Sequence, residues 1–180
     1  MYRALTIPAI PRSACTILAS IPGMTTSPNG STGPADWRSH LIEDDDGVAR
    51  LLQRTRRIAV LGIKTAPDTM EPAYYVPRYA QKAGLEIVPV PVYYPDAVEI
   101  LGEPVHRAVA DIPEPVDMVN VFRRSQKIGP HVDDILKAKP ASVWFQLGIR
   151  NDEAAEKFAR AGIDVVQDRC LLVELQAIGR

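Results

Sequence analysis

The chain has 180 residues, enough for one compact domain, with 46% hydrophobic and 24% charged residues, the balance of an ordinary folded protein. Its 21 basic and 22 acidic residues nearly cancel, which excludes broad electrostatic capture of nucleic acid. Two separated cysteines, Cys15 and Cys170, exclude a disulfide framework and a cysteine-rich metal site, and read as an intracellular, reducing setting.

Residues 1–35 stand apart, with nine Ser/Thr, five Pro and no acid. The prolines interrupt every candidate helix or strand, so a disordered tail is expected there. Met24 is an alternative start. The apolar stretch around 15–21 is too short to span a bilayer. A cytoplasmic protein is expected, with organelle import by this segment left open and no membrane partner.

Order is expected from residue 36. Asp36 or Ser39 can cap a helix reaching to about Thr55, with the acidic run at 43–46 as a solvated face. The apolar run 58–63 reads as a buried parallel strand ending near Gly62. A loop at 64–72 precedes a helix at 73–83, with Tyr75, Val76, Tyr79 and Ala80 on one face and Gly84 at its end. A second strand follows at 85–92. The alternation continues with strands at 116–121, 141–146 and 163–167, and helices at 130–138, 152–161 and 171–178. Asn151 is the expected cap of the penultimate helix. Alternating strands and helices predict an α/β, doubly wound, mainly parallel five-stranded sheet over residues 36–180.

Open sheets of this kind bind ligands beyond the carboxyl ends of their strands. Those ends gather Lys64, Arg123, Arg124, Arg150 and Arg169, so a phosphate-bearing ligand is expected at a local site on a nearly neutral protein. Tyr93, Tyr94 and Phe122 offer flat surfaces for an adenine or a pantetheine-like chain. Each residue also has a plain structural reading. Gly62 and Gly148 serve either tight turns or close backbone approach to a ligand. Lys64 is a loop lysine or a phosphate contact. Arg123 and Arg124 point opposite ways if strand geometry continues. Gln146 ends an apolar strand or faces the ligand. Cys170 reads first as a small buried residue, with a mixed disulfide to a ligand thiol as the minority reading. His131 reads as an exposed or capping residue at a helix start.

The dinucleotide fingerprint G-x-G-x-x-G and the Walker lysine motif are absent, and Asp96 is the nearest acid to the end of the second strand. The chain instead resembles the small stand-alone CoA-binding proteins, related to the CoA-binding domain of the succinyl-CoA synthetase α subunit. The resemblance spans about 45–176. It rests on Arg57-Ile58-Ala59-Val60-Leu61-Gly62, Ile87-Val88-Pro89-Val90, Ile100-Leu101-Gly102-Glu103 and Asp111-Ile112-Pro113-Glu114-Pro115-Val116-Asp117. It continues through Val121-Phe122-Arg123-Arg124-Ser125, Val143-Trp144-Phe145-Gln146-Leu147-Gly148-Ile149 and Gln167-Asp168-Arg169-Cys170.

This resemblance implies a Rossmann-like CoA-binding domain whose ligand is coenzyme A or an acyl-CoA. It implies a first loop with Gly62, Ile63, Lys64 and Thr65 on the phosphates, and Pro91 and Tyr93 on the nucleotide. It adds Phe122, Arg123 and Arg124 from the third strand's end, and Gln146, Leu147 and Gly148 from the fourth. The first loop departs from the family pattern, because Lys64 and Asp68-Thr69-Met70-Glu71-Pro72-Ala73-Tyr74 stand where many members carry serine and arginine. The synthetase's phosphohistidine domain has no counterpart. A non-catalytic carrier, sensor or regulatory module is expected, with a homodimer left open. The alternatives are a nucleotide-binding enzyme of the NAD type and an interaction module with a degenerate site.

Overall fold

The computed structural model describes residues 36–66 and 70–180, and the expected tail at 1–35 lies outside them. Five strands form one parallel sheet: β1 (Arg57–Leu61), β2 (Glu86–Val90), β5 (Met118–Val121), β6 (Ser142–Phe145) and β7 (Asp164–Val166), in the order β2-β1-β5-β6-β7. Their central positions are almost continuously buried, which is why they read as apolar runs rather than alternating ones.

Side-chain alternation divides the core into two layers. Leu61, Val119, Val121, Val143 and Phe145 face α3 (Val132–Ala138) and α4 (Asp152–Arg160). Ile58, Val60, Met118 and Trp144 face α1 (Asp45–Arg54), α2 (Pro72–Lys82) and α5 (Leu171–Ala177). Helices therefore cover both faces, the doubly wound α/β arrangement expected from the sequence.

The single helix expected over 36–55 is divided. Asp36 caps a 3₁₀ turn at Trp37–His40, accepting from Arg38 N. Leu41 then bridges Val165 in parallel, and Ile42 N donates to Val165 O at 2.8 Å. That pairing holds the chain extended along the edge of β7. Helix α1 starts only at Asp45, because the Asp44 carboxylate accepts from Gly47 N at 2.7 Å and forms its N-cap. Asp45 and Asp46 complement the helix dipole in the first turn.

The second helix buries Tyr74 rather than Tyr75, which is exposed. Val76 and Ala80 are buried and Tyr79 packs against the core as expected, so only Tyr75 leaves the expected face. A two-stranded antiparallel ribbon, β3 (Glu99–Ile100) and β4 (Glu103–Pro104), also lies in a stretch where no element was expected. Its turn places Leu101 at φ 57° and Gly102 at φ 81°, both in the left-handed region that tight hairpin turns use. His106 N donates to Pro89 O at 2.9 Å and ties this excursion to β2. The helix expected from residue 130 begins at Val132, after a 3₁₀ turn at Gly129–His131. Asn151 caps α4 as expected, accepting from Ala154 N at 2.9 Å.

Candidate functional site

The chain runs from β1 outward to β2, then crosses back to place β5 on the other side of β1. Between the carboxyl ends of β1 and β5 the connections diverge, and a crevice opens. Gly62 shapes its wall. It has φ +88°, and a Cβ there would sit 2.9 Å from Phe122 O and 3.2 Å from Arg123 Cδ. Only glycine lets the loop after β1 pass this close to the end of β5.

The loop is then tied to α2. Pro77 lies inside that helix and has no N–H, so the Ala73 carbonyl lacks its usual i+4 donor. Lys64 N donates to that carbonyl at 3.0 Å instead. A proline that would otherwise weaken the helix thus leaves an acceptor for the loop carrying Lys64.

The resulting cleft has a volume of about 970 Å³, at the upper end of the range for small-molecule and cofactor sites. Nine sequence-predicted site residues line it: Gly62, Lys64, Tyr93, Phe122, Arg123, Arg124, Gln146, Leu147 and Gly148. The other three do not. Ile63 is buried in the core with α1 and α2, Pro91 is buried at the end of β2, and Thr65 is half-buried outside the lining.

One rim is cationic and aromatic. The Lys64 ammonium lies 5.8 Å from the ring centroids of both Tyr93 and Tyr94. The Arg123 guanidinium lies 5.4 Å from the Tyr93 centroid and donates through Nη1 to the Tyr93 hydroxyl at 3.2 Å. These contacts hold the cations by cation–π attraction. That hydrogen bond and the positive charge of Arg123 lower the Tyr93 pKa from its ordinary value. Arg123 Nε is buried and has no hydrogen-bond partner among the described residues. Arg123 and Arg124 both reach the cleft, contrary to the expectation of opposed directions. The strand ends at Val121, and Arg124 already flanks the 3₁₀ turn Ser125–Lys127, so strand alternation no longer governs them. Lys127 joins the same lining and was missed in the sequence.

The floor is quieter. Gln146 is only 4% exposed, donating through Nε2 to Asn120 Oδ1 at 3.0 Å and accepting from Leu171 N at 3.4 Å. Gly148, at φ +78°, donates its N–H to the Asp168 carboxylate at 2.6 Å. Cys170, expected as a small buried residue, is half-buried and lines the cleft. His131 is half-buried and makes no capping bond, so the expectation of an exposed or capping histidine is not met. Burial lowers its pKa, and the Arg123 charge adds to the effect.

Two of the five edge cations are engaged elsewhere. Arg169 donates to Asp45 at 2.7 Å, to Glu174 at 3.1 Å and to the Glu43 carbonyl at 2.7 Å, which binds the α1 cap region to α5. Arg150 pairs with Asp152 at 3.0 Å. Both line a separate hollow of about 330 Å³ beside β7. Their acidic partners are remote in sequence or on the next helix, so the strand-end pattern alone does not separate them from Arg123.

Among the described residues no group of three or more His, Cys, Asp or Glu is placed to hold a metal ion. No histidine lines the cleft, and Glu71 is its one lining carboxylate among those residues. No helix among them is long and apolar enough to cross a membrane.

A doubly wound parallel sheet with a cationic cleft at its switch point defines a Rossmann-like ligand-binding domain. Residues 56–176 match the family described as CoA binding domain, and the chain belongs to that family. It is similar to the uncharacterized protein YneT of Bacillus subtilis (strain 168), at 35% identity over 126 residues, covering 70% of this chain and 90% of that one. Cell-free ID.343 from Thermus thermophilus is 37% identical with a TM-score of 0.70, covering 76% of this chain and 99% of that structure. A hypothetical protein from Pyrococcus horikoshii OT3 is 29% identical with a TM-score of 0.68, covering 76% and 92%.

Proposed function

We propose that this protein binds coenzyme A or an acyl-CoA in the cleft over β1, β5 and β6 and acts as a carrier, sensor or regulatory module without catalysis of its own. The observation that carries the reading is the convergence of Lys64, Arg123 and Arg124 with Tyr93 on one rim of a 970 Å³ cleft. Family membership supports this ligand class, and the side chains present fit it. The cations suit the phosphates, and the buried, unpartnered Arg123 Nε is a donor left for an oxyanion. The Tyr93 ring is 58% exposed and offers a stacking face. The uncharged floor at Gln146, Gly148 and Cys170 suits the pantetheine arm. Among the described lining residues no nucleophile is paired with a base, which supports a binding role over an enzymatic one.

Isothermal titration with CoA, acetyl-CoA, NAD and ATP tests this. Heat is expected with the CoA ligands. Arg123→Ala and Arg124→Ala are each expected to cost about 1–3 kcal/mol of binding, the value of a charge-assisted hydrogen bond, or roughly 5- to 150-fold in affinity. Heat with NAD alone, or with nothing, overturns the reading, and unchanged affinity in both variants removes the phosphates from this rim.

A further inference from the structure

Asn120 is the anomaly of the sheet. It is fully buried in β5, aligned with Val60 on one side and Trp144 on the other, and its Nδ2 has no hydrogen-bond partner. An apolar residue there avoids the desolvation of an unpaired amide. What Asn120 does make is one bond, accepting through Oδ1 from Gln146 Nε2 at 3.0 Å.

Two bonds hold the Gln146 amide: the one from Leu171 N sets which way it faces, and the shorter one to Asn120 keeps it there. Leu171 N, at the start of α5, can only donate, so it requires the Gln146 oxygen. That turns Gln146 Nε2 toward Asn120, which must then present its own oxygen. The chain of bonds leaves the Asn120 amino group orphaned, and it also fixes Gln146. With one Nε2 hydrogen on Asn120 and one Oε1 lone pair on Leu171, a single N–H of Gln146 remains. Gln146 lines the floor of the cleft beside Cys170, where the lining is uncharged, while Lys64, Arg123 and Arg124 form the cationic rim.

We infer that Asn120 is a positioning residue that locks the Gln146 amide, and that the remaining Gln146 N–H reads the thioester carbonyl of an acyl-CoA, so that the cleft prefers acyl-CoA over free CoA. The inference rests on the proposed CoA site and adds the chemical class of ligand. Both ligands carry the pantetheine amides and hydroxyl, and only the acyl-CoA adds a carbonyl oxygen next to the sulfur, so the preference arises at that oxygen. Orientation matters because a rotated Gln146 presents its oxygen to another oxygen.

The test is titration of acetyl-CoA and of CoA into the wild type, Asn120→Leu, Gln146→Met and the double variant, with thermal melting as a check on folding. The wild type is expected to favour acetyl-CoA by about 3- to 10-fold, the range of a neutral hydrogen bond. Each single variant is expected to bring the acetyl-CoA to CoA affinity ratio near one, and it is this ratio, not the affinity for either ligand alone, that is read. The double variant shows no further change, because Asn120 acts through Gln146. If Asn120→Leu does not fold, Gln146→Met alone decides the ratio. A wild-type ratio of one, or an equal loss for both ligands, overturns the inference and leaves CoA binding standing. A wild type that binds neither ligand overturns the parent reading and this inference with it.

Discussion

Replacing Gly62 by alanine isolates the close approach that forms the cleft wall. The native φ of +88° costs an L-residue about 1–2 kcal/mol in the left-handed region. The new Cβ would also stand 2.9 Å from Phe122 O and 3.3 Å from Phe122 C, both backbone atoms that cannot rotate away. Overpacking of this kind costs about 1–3 kcal/mol more. Gly148→Ala is the control. It shares a positive φ, +78°, but its Cβ would meet nothing within 4 Å, so only the dihedral cost remains. The two variants should therefore lose about 2–5 and about 1–2 kcal/mol respectively. Near the melting point, that corresponds to about 6–15 °C and 3–6 °C for a domain of this size. Urea unfolding followed by tryptophan fluorescence provides the assay, because Trp144 is fully buried between the layers and reports the core. Equal losses in the two variants would refute the reasoning, since they would show that β1's loop does not abut the Phe122 backbone.

The His131 pKa is lowered by burial and by Arg123 against the opposing charge of Asp134, so the unfolded chain takes up its proton first as pH falls. Stability is thus expected to drop on acidification from above the unfolded value of about 6.5 down through the lowered folded value, and His131→Asn should flatten that part of the curve. Urea midpoints at several pH values check it, and an unchanged slope in the variant contradicts it. Cys170 lines the cleft, so saturating acetyl-CoA is expected to slow its alkylation by iodoacetamide severalfold. Peptide-level mass spectrometry separates this site from Cys15, and an unaltered rate at Cys170 means that the ligand does not reach the floor.

The sheet was legible because its strands are buried on both faces, leaving runs such as Ile58-Ala59-Val60-Leu61 with no polar interruption. Strand ends locate the crevice, so nine of its lining residues could be named before any geometry was known, whereas the share from α2 (Pro72, Ala73, Tyr75 and Val76) could not. Other features depended on competition between local and tertiary bonds. Residues 36–55 have enough apolar spacing for one helix, but Val165 offers an edge to Leu41 and Ile42, and the Asp44 cap restarts the helix after it. The ribbon at Glu99–Pro104 is too short to show a period, and Leu101-Gly102 was its one local turn signal. Asn120 was invisible for a different reason. In the sequence it is one polar residue in an apolar strand, and its role appears only when Gln146 and Leu171 are brought beside it.

The edge arginines show how context separates a tie from a binding group. All five cations stand just after strands, yet Arg169 and Arg150 find carboxylates within 3.1 Å. Each such pair neutralises its own field and leaves little for a ligand. Arg123 meets the Tyr93 ring and hydroxyl instead, with no carboxylate in that contact. A ring quadrupole attracts a cation without cancelling its charge. Tyr93 therefore does more than offer a flat surface: its ring and hydroxyl hold Arg123 at the cleft through contacts that do not cancel the guanidinium charge. Exchanging Tyr93 for an acid keeps the same cations but pairs Arg123, and is therefore expected to weaken CoA binding severalfold in titration; unchanged affinity would remove Arg123 from the proposed phosphate rim.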